Sequence, residues 1–226
     1  MPPRSVSSRR GVMGRRTLLA ALLLFAQSAS AADVLTSRNS VGRTGVNADE
    51  PGLTPARINA GTFGRLWNLY ADGQVVAQPL YVAQLAVDTA SNPNTPLVQG
   101  VFNAVLIATM HNTVYLYDAD RERPGPEGRT VPLWATWLGQ PRPGDKSIDM
   151  WSTNDPEWGI LGTPVVNAAR SIVYLVAWHD DGGADQNYVY RLHALRLKDG
   201  AHVAPPVVLE GPGLDAQNQK HARGCS

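Results

Sequence analysis

One strand pattern occurs twice in this 226-residue chain, and it constrains the fold more than any other feature. Gln78-Pro79-Leu80-Tyr81-Val82 is followed by Val105-Leu106-Ile107-Ala108-Thr109, then by Val114-Tyr115-Leu116-Tyr117-Asp118-Ala119, then by Pro132-Leu133-Trp134. The same order returns as Thr163-Pro164-Val165-Val166, Val173-Tyr174-Leu175-Val176-Ala177, Tyr190-Arg191-Leu192-His193-Ala194-Leu195 and a closing run at Val207-Val208-Leu209. Upstream, Arg65-Leu66-Trp67 matches Pro132-Leu133-Trp134 and reads as the closing strand of an earlier unit. A four-strand unit cannot bury its apolar face alone, so each copy needs a neighbour laid against it. The chain reads as an array of small sheets.

That array predicts an all-β fold of β-propeller blades, each of four antiparallel strands. The composition suits it, with short β-branched and aromatic runs, 21 Gly and 17 Pro, and no amphipathic helix pattern past residue 31. Leu66 and Leu133 are 67 residues apart and Pro79 and Pro164 are 85 apart. Compact propeller repeats run about 40–50 residues, so these units carry long loops. The 195 residues after position 31 therefore hold two to three blades. A closed ring needs about four to eight, which makes this an incomplete ring. Open sheet faces and unpaired edges predict self-association.

Residues 1–31 read as a signal peptide. Arg4, Arg9, Arg10, Arg15 and Arg16 precede the apolar run Leu18 to Ala26, and Ala29-Ser30-Ala31 supplies a small-residue cleavage site. The run is shorter than the ~20 residues of a membrane span. The protein is expected in the periplasm or secreted. Arg15-Arg16-Thr17-Leu18-Leu19 also fits a twin-arginine signal, and the general secretory route stays open beside it. Five of the 20 basic residues and none of the 19 acidic ones lie in this leader, leaving 15 against 19 and a net charge of −4. No basic stripe remains for nucleic acid or an anionic membrane. The single cysteine, Cys225, excludes an intrachain disulfide framework.

Residues 32–62 are polar and turn-rich and read as an extended lead-in. Blades are expected over 63–211, with strands at Leu66–Tyr70 and Val75–Ala83 and a hairpin over Asn103–Asp118 turning near His111-Asn112. A further strand is expected at Leu133–Leu138. The longest irregular stretch is Gly139–Glu157, and loops of that size are more often functional than mere connectors. The polar inner loop of the second unit spans His179–Asn187. Residues 212–226 carry no strand period and read as an irregular tail.

The strand pattern resembles the pyrroloquinoline-quinone-like β-propeller repeats. Val114-Tyr115-Leu116-Tyr117-Asp118-Ala119-Asp120 with Trp134 fits the family's blade, and Arg191-Leu192-His193-Ala194-Leu195 with Lys198-Asp199-Gly200 fits it in part, without the tryptophan. Thr44 to Glu50, Asp72-Gly73-Gln74-Val75, and Pro156-Glu157-Trp158-Gly159-Ile160 look like exported bacterial members of that family, and the likeness covers Asn39 to Gly211. It implies a truncated copy, since blades in such proteins continue further. The family's dehydrogenases hold pyrroloquinoline quinone with calcium on the axis, often against a ring of two adjacent cysteines. Neither that pair nor a matching calcium-ligand set is found here, so the resemblance carries fold and not catalysis.

Two segments are the candidates for chemistry. The acidic residues Asp180, Asp181 and Asp185 share a glycine-bearing loop, and several oxygens converging from one loop suit a hard cation. A solvated blade turn is the preferred reading, because the position that a helix–loop–helix calcium site gives to glutamate is Arg191. Asp155, Glu157 and Trp158 close the long loop, where carboxylates beside aromatics suggest a ligand or sugar cleft. Tryptophans packed under the blades with acids facing water is the plainer reading. Glu157 still precedes the strand expected nearest the axis, so Glu157, Asp155, Trp158 and Gln78 are the ligand-binding candidates. Trp67 and Trp134 are expected to be structural, packed between neighbouring units.

The chain is therefore expected to be an exported, non-catalytic binding or scaffold protein with no cofactor, partnered by an envelope protein or a small ligand. The alternatives are a fragment of a pyrroloquinoline-quinone-dependent oxidoreductase and a carbohydrate- or calcium-binding module.

Overall fold

In the computed structural model the repeated runs become two antiparallel meanders. The structure describes residues 32–47, 53, 56–59, 61, 63–144, 157–182 and 188–209. The first sheet is β1 (Leu80–Asp88), β2 (Gln99–Ala108), β3 (Thr113–Asp118) and β4 (Trp134–Trp137), hydrogen-bonded in chain order. Next come β5 (Arg142–Pro143) and β6 (Glu157–Trp158), which form a two-stranded ladder of their own. The second meander is β7 (Val165–Asn167), β8 (Ile172–Asp180), β9 (Tyr188–Arg196) and β10 (Val207–Val208). The fold is mostly β: among the described residues the helical elements are three single 3-10 turns. None of the described helices is long and apolar enough to cross a membrane.

Strand alternation explains how the two sheets meet. Successive side chains point to opposite faces, so every second residue of a strand shares one face. Leu106 pairs with Leu116 and Ala108 with Val114, while Val173 pairs with Leu195 and Leu175 with His193. Leu80, Val82, Leu106, Val114, Leu116 and Trp134 from the first sheet bury together with Val173, Leu175, Ala177 and Leu195 from the second, in one apolar core. The opposite face of the first sheet carries Ile107, Tyr115 and Tyr117, with Leu69 packed over them. On the opposite face of the second sheet Val165, Val176, Leu192 and Val207 are exposed, Val207 at 59%.

Trp134 locks the two units together. It is fully buried, and its indole Nε1 donates to Leu197 O at 2.8 Å. Gly200 has φ +71°, and a Cβ there would stand 2.5 Å from the Trp134 ring. Only glycine permits that approach. Thr136 Oγ1 donates to Gly200 O at 2.8 Å, and Asn92 Nδ2 donates to Asp199 O at 2.8 Å from the other side.

Three expectations need correction. No strand forms over Leu66–Tyr70: Leu66 is 82% exposed and Trp67, expected to match Trp134, is half-buried outside any ladder. What holds this stretch is side-chain bonding, from Thr130 Oγ1 to Asn68 O (2.7 Å) and from Tyr117 OH to Tyr70 O (2.6 Å), in place of paired backbone groups. The strand expected over Val75–Ala83 starts at Leu80, because Pro79 has no N–H and the Gln78 N–H goes to the Thr163 hydroxyl. His179 and Asp180 belong to β8 and not to a loop, since β8 continues its ladder to the Asp180–Tyr188 pair. At the start of the lead-in, Val34 pairs with Tyr81 of β1. The expected leader at 1–31 and the expected irregular tail at 212–226 lie outside the described residues.

Candidate functional site

The described ends of the stretch Gly139–Glu157 lie at one end of the two meanders. Four pieces meet there: the β2–β3 turn at Thr109–Asn112, the stretch from Leu138 through β5, the stretch from β6 to Ile160, and the β8 end with the β9 start. Asn112 ties them. It is fully buried in a left-handed conformation (φ 60°), and its Nδ2 donates to Trp178 O at 2.9 Å and to Gly139 O at 3.3 Å. Its own carbonyl accepts from Leu138 N–H at 2.9 Å. Gly159 faces this side chain so closely that a Cβ would stand 2.2 Å from Asn112 Oδ1 and 2.4 Å from Met110 O.

Glu157 lies against His111, with its Oε2 hydrogen-bonded to the imidazole Nδ1. The two side chains are 26% and 35% exposed, so the pair reaches solvent. A carboxylate on Nδ1 fixes the orientation of the ring, an arrangement that a general base uses. Trp158, the next residue, joins an aromatic group around Arg142. The Arg142 guanidinium stands 4.3 Å over Trp178, 4.7 Å over Tyr188 and 5.0 Å over Trp158. Trp178 in turn stacks on Tyr190 at 4.6 Å. Arg142 is only 6% exposed, so the rings shield the cation while it holds their faces apart.

Behind this group three imidazoles run in single file. His179 Nε2 lies 2.9 Å from His193 Nε2, and His193 Nδ1 lies 3.0 Å from His202 Nε2. A neutral chain satisfies both contacts: His193 donates through one ring nitrogen and accepts at the other, and each end ring takes the complementary role in its single contact. Burial, with Arg191 nearby, pushes His179 down to about 4; burial, with the neighbouring histidines and Arg191, pushes His193 down to about 3. Burial also lowers His202. The rings are uncharged at neutral pH.

The remaining candidates are placed as follows. Gln78 is half-buried; its N–H donates to Thr163 Oγ1 at 3.1 Å and its Oε1 accepts from Arg38 N–H at 2.9 Å. It stands just before β1, bonded to Arg38 and Thr163. Asp181 gives both carboxylate oxygens to Arg191, at 2.6 Å each. Asp180 Oδ1 accepts from Gly182 N–H at 2.8 Å, an Asx turn. Asp155 and Asp185 lie outside the described residues. Calcium needs several oxygens turned on one point, and the described members of the expected set are turned elsewhere. Among the described residues no three His, Cys, Asp or Glu side chains could hold one ion.

The sequence reading missed His111, Arg142, Trp178 and the histidine file. His111 sits in a predicted turn and Arg142 in a predicted loop, where nothing in the local pattern marks a long-range partner. A periodicity signal existed for His179 and His193, which share the core-facing parity of Val173 and Leu175. No protein-family model matches this chain, and neither does any curated protein.

Proposed function

We propose that this chain is an exported repeat protein of the quinoprotein-type β-propeller class that acts as a binding surface. One observation supports the repeat reading above the others: Gln78 and Thr163, which hold the same place in the two copies, are hydrogen-bonded to each other. Equivalent positions touch when adjacent units are related by rotation about a nearby axis, as blades are. The binding end is the one carrying His111, Glu157, Trp158 and Arg142, where a polar pair that reaches solvent stands next to half-buried rings. An envelope protein or a small ligand is the partner.

The aromatic group favours a second reading, a carbohydrate ligand, because sugar rings present flat C–H faces that stack on indole. Titration of the tryptophan fluorescence with a panel of envelope oligosaccharides tests both. A saturable change that Glu157→Gln and His111→Ala weaken by about tenfold supports the site. Saturable binding that both variants leave untouched would move the site elsewhere. For the oxidoreductase reading, the chain is given pyrroloquinoline quinone, calcium and an alcohol or aldose with a redox dye. We expect no turnover, and turnover above controls would reverse the order of the readings. N-terminal sequencing of envelope-recovered protein is expected to start at Ala32 or Asp33; retained Met1 would exclude export through leader cleavage.

A further inference from the structure

The notch between β1 and β7 is filled by a segment that belongs to neither meander. Val34 N–H donates to Tyr81 O at 2.8 Å, and Tyr81 N–H returns a bond to Val34 O at 3.0 Å. One residue on, Leu35 O accepts from Val166 N–H at 2.8 Å, so two consecutive residues join the inner edges of both sheets. Asp33 Oδ1 accepts from Ala83 N–H at 2.7 Å. The Val34 and Leu35 side chains pack against the shared core. An edge strand is a template for backbone pairing, and an extended peptide laid on one gains affinity from the ladder and specificity from alternate side chains.

We infer that this notch is a strand-accepting site for an extended peptide that reads acid–aliphatic–aliphatic, filled in cis by Asp33-Val34-Leu35. The acid takes the Ala83 amide that β1 leaves unladdered at its bulge, and the two aliphatic residues take the gap between the sheets. The tethered strand is its own strongest competitor, since the chain that joins it to β1 makes its docking intramolecular. A strand supplied from outside, whether free peptide or the same segment of a second copy, enters only when the tethered one is disabled. The site stands on these bonds whether or not the sheets belong to a ring, so its failure leaves the repeat reading intact.

The test uses the full chain carrying Val34→Pro, which removes the N–H that reaches Tyr81 O. A fluorescent peptide spanning Ala32–Arg38 is titrated by anisotropy. It is expected to bind the variant saturably and the unaltered chain at least about tenfold more weakly. The same peptide with proline at the Val34 position should bind neither. A folded variant that takes up no peptide would overturn the assignment. If the variant does not fold, hydrogen exchange on the unaltered chain decides. The Val34, Tyr81 and Val166 amides should then exchange at one shared slow rate, and a fast Val34 amide beside a protected Val166 would overturn it.

Discussion

The backbone N–H of Gln78 donates to the hydroxyl of Thr163 at 3.1 Å across 85 positions of chain. Each residue precedes the proline that opens the first strand of its meander, so the bond joins two corresponding points of the repeat. It needs only one hydroxyl, and Thr163→Val removes that hydroxyl while keeping the shape. We expect a loss of about 1 kcal/mol in urea unfolding, the cost of leaving a half-buried N–H without its acceptor. An unchanged midpoint would mean that water replaces the bond and that this contact does not help set the arrangement.

Trp134 and Trp67 match in sequence but differ in burial, and their substitutions should differ as well. Trp134→Ala empties a fully buried site and strands the Leu197 carbonyl, and is expected to cost about 3–5 kcal/mol. Trp67→Ala, at a half-buried position without a ladder, should cost about 1 kcal/mol. Thermal melts of the two variants beside the parent give the comparison. Equal losses would argue that Trp67 carries an inter-sheet role like that of Trp134.

Gly159 permits Asn112 to reach its two carbonyl partners. Gly159→Ala would bring a methyl carbon to 2.2 Å from Asn112 Oδ1, closer than any real contact. Either the β2–β3 turn or the stretch after β6 must move. We expect about 2–4 kcal/mol of destabilisation and a shifted Trp178 environment in near-ultraviolet circular dichroism. A variant as stable as the parent with an unchanged spectrum would contradict the tight approach.

The histidine file predicts the pH response. His179, His193 and His202 have folded values below the ordinary 6.5, so the unfolded chain binds more protons than the native one as pH falls below about 6.5. Their contribution is complete above about pH 6.5 and is lost as pH falls towards about 4 and then 3, where the native rings begin to accept protons themselves. The melting temperature should drop steadily across that window. His193→Gln, which keeps a donor and an acceptor but does not titrate there, should flatten the slope. An equally steep slope in His193→Gln would assign the acid sensitivity to other groups.

The apolar outer face of the second sheet, with Val207 59% and Val165 48% exposed, predicts association at high concentration. Sedimentation at micromolar concentration should show species above monomer that Val207→Lys reduces. A parent chain that stays monomeric throughout would remove this face as an interface.

Period-two runs and their repetition determined the two meanders, because strand character follows from local alternation and turn residues. Leu106, Leu116, Val173 and Leu195 are core residues for a reason visible in the sequence: they hold the same parity in paired runs. The hairpin turn at His111-Asn112 was legible for the same local reason. Pairing across distance was not. Whether Trp67 would sit in a ladder depended on a neighbouring strand that no local pattern reports, and side-chain bonds from Thr130 and Tyr117 hold its stretch in place of one. The His111–Glu157 pair spans 46 positions and the Arg142 cation lies among rings from β6, β8 and β9. Asp181 looked like a cation ligand in sequence and is an arginine partner in space. These contacts depend on the direction of side chains from separate elements, and the packing of one sheet on the other decides that direction.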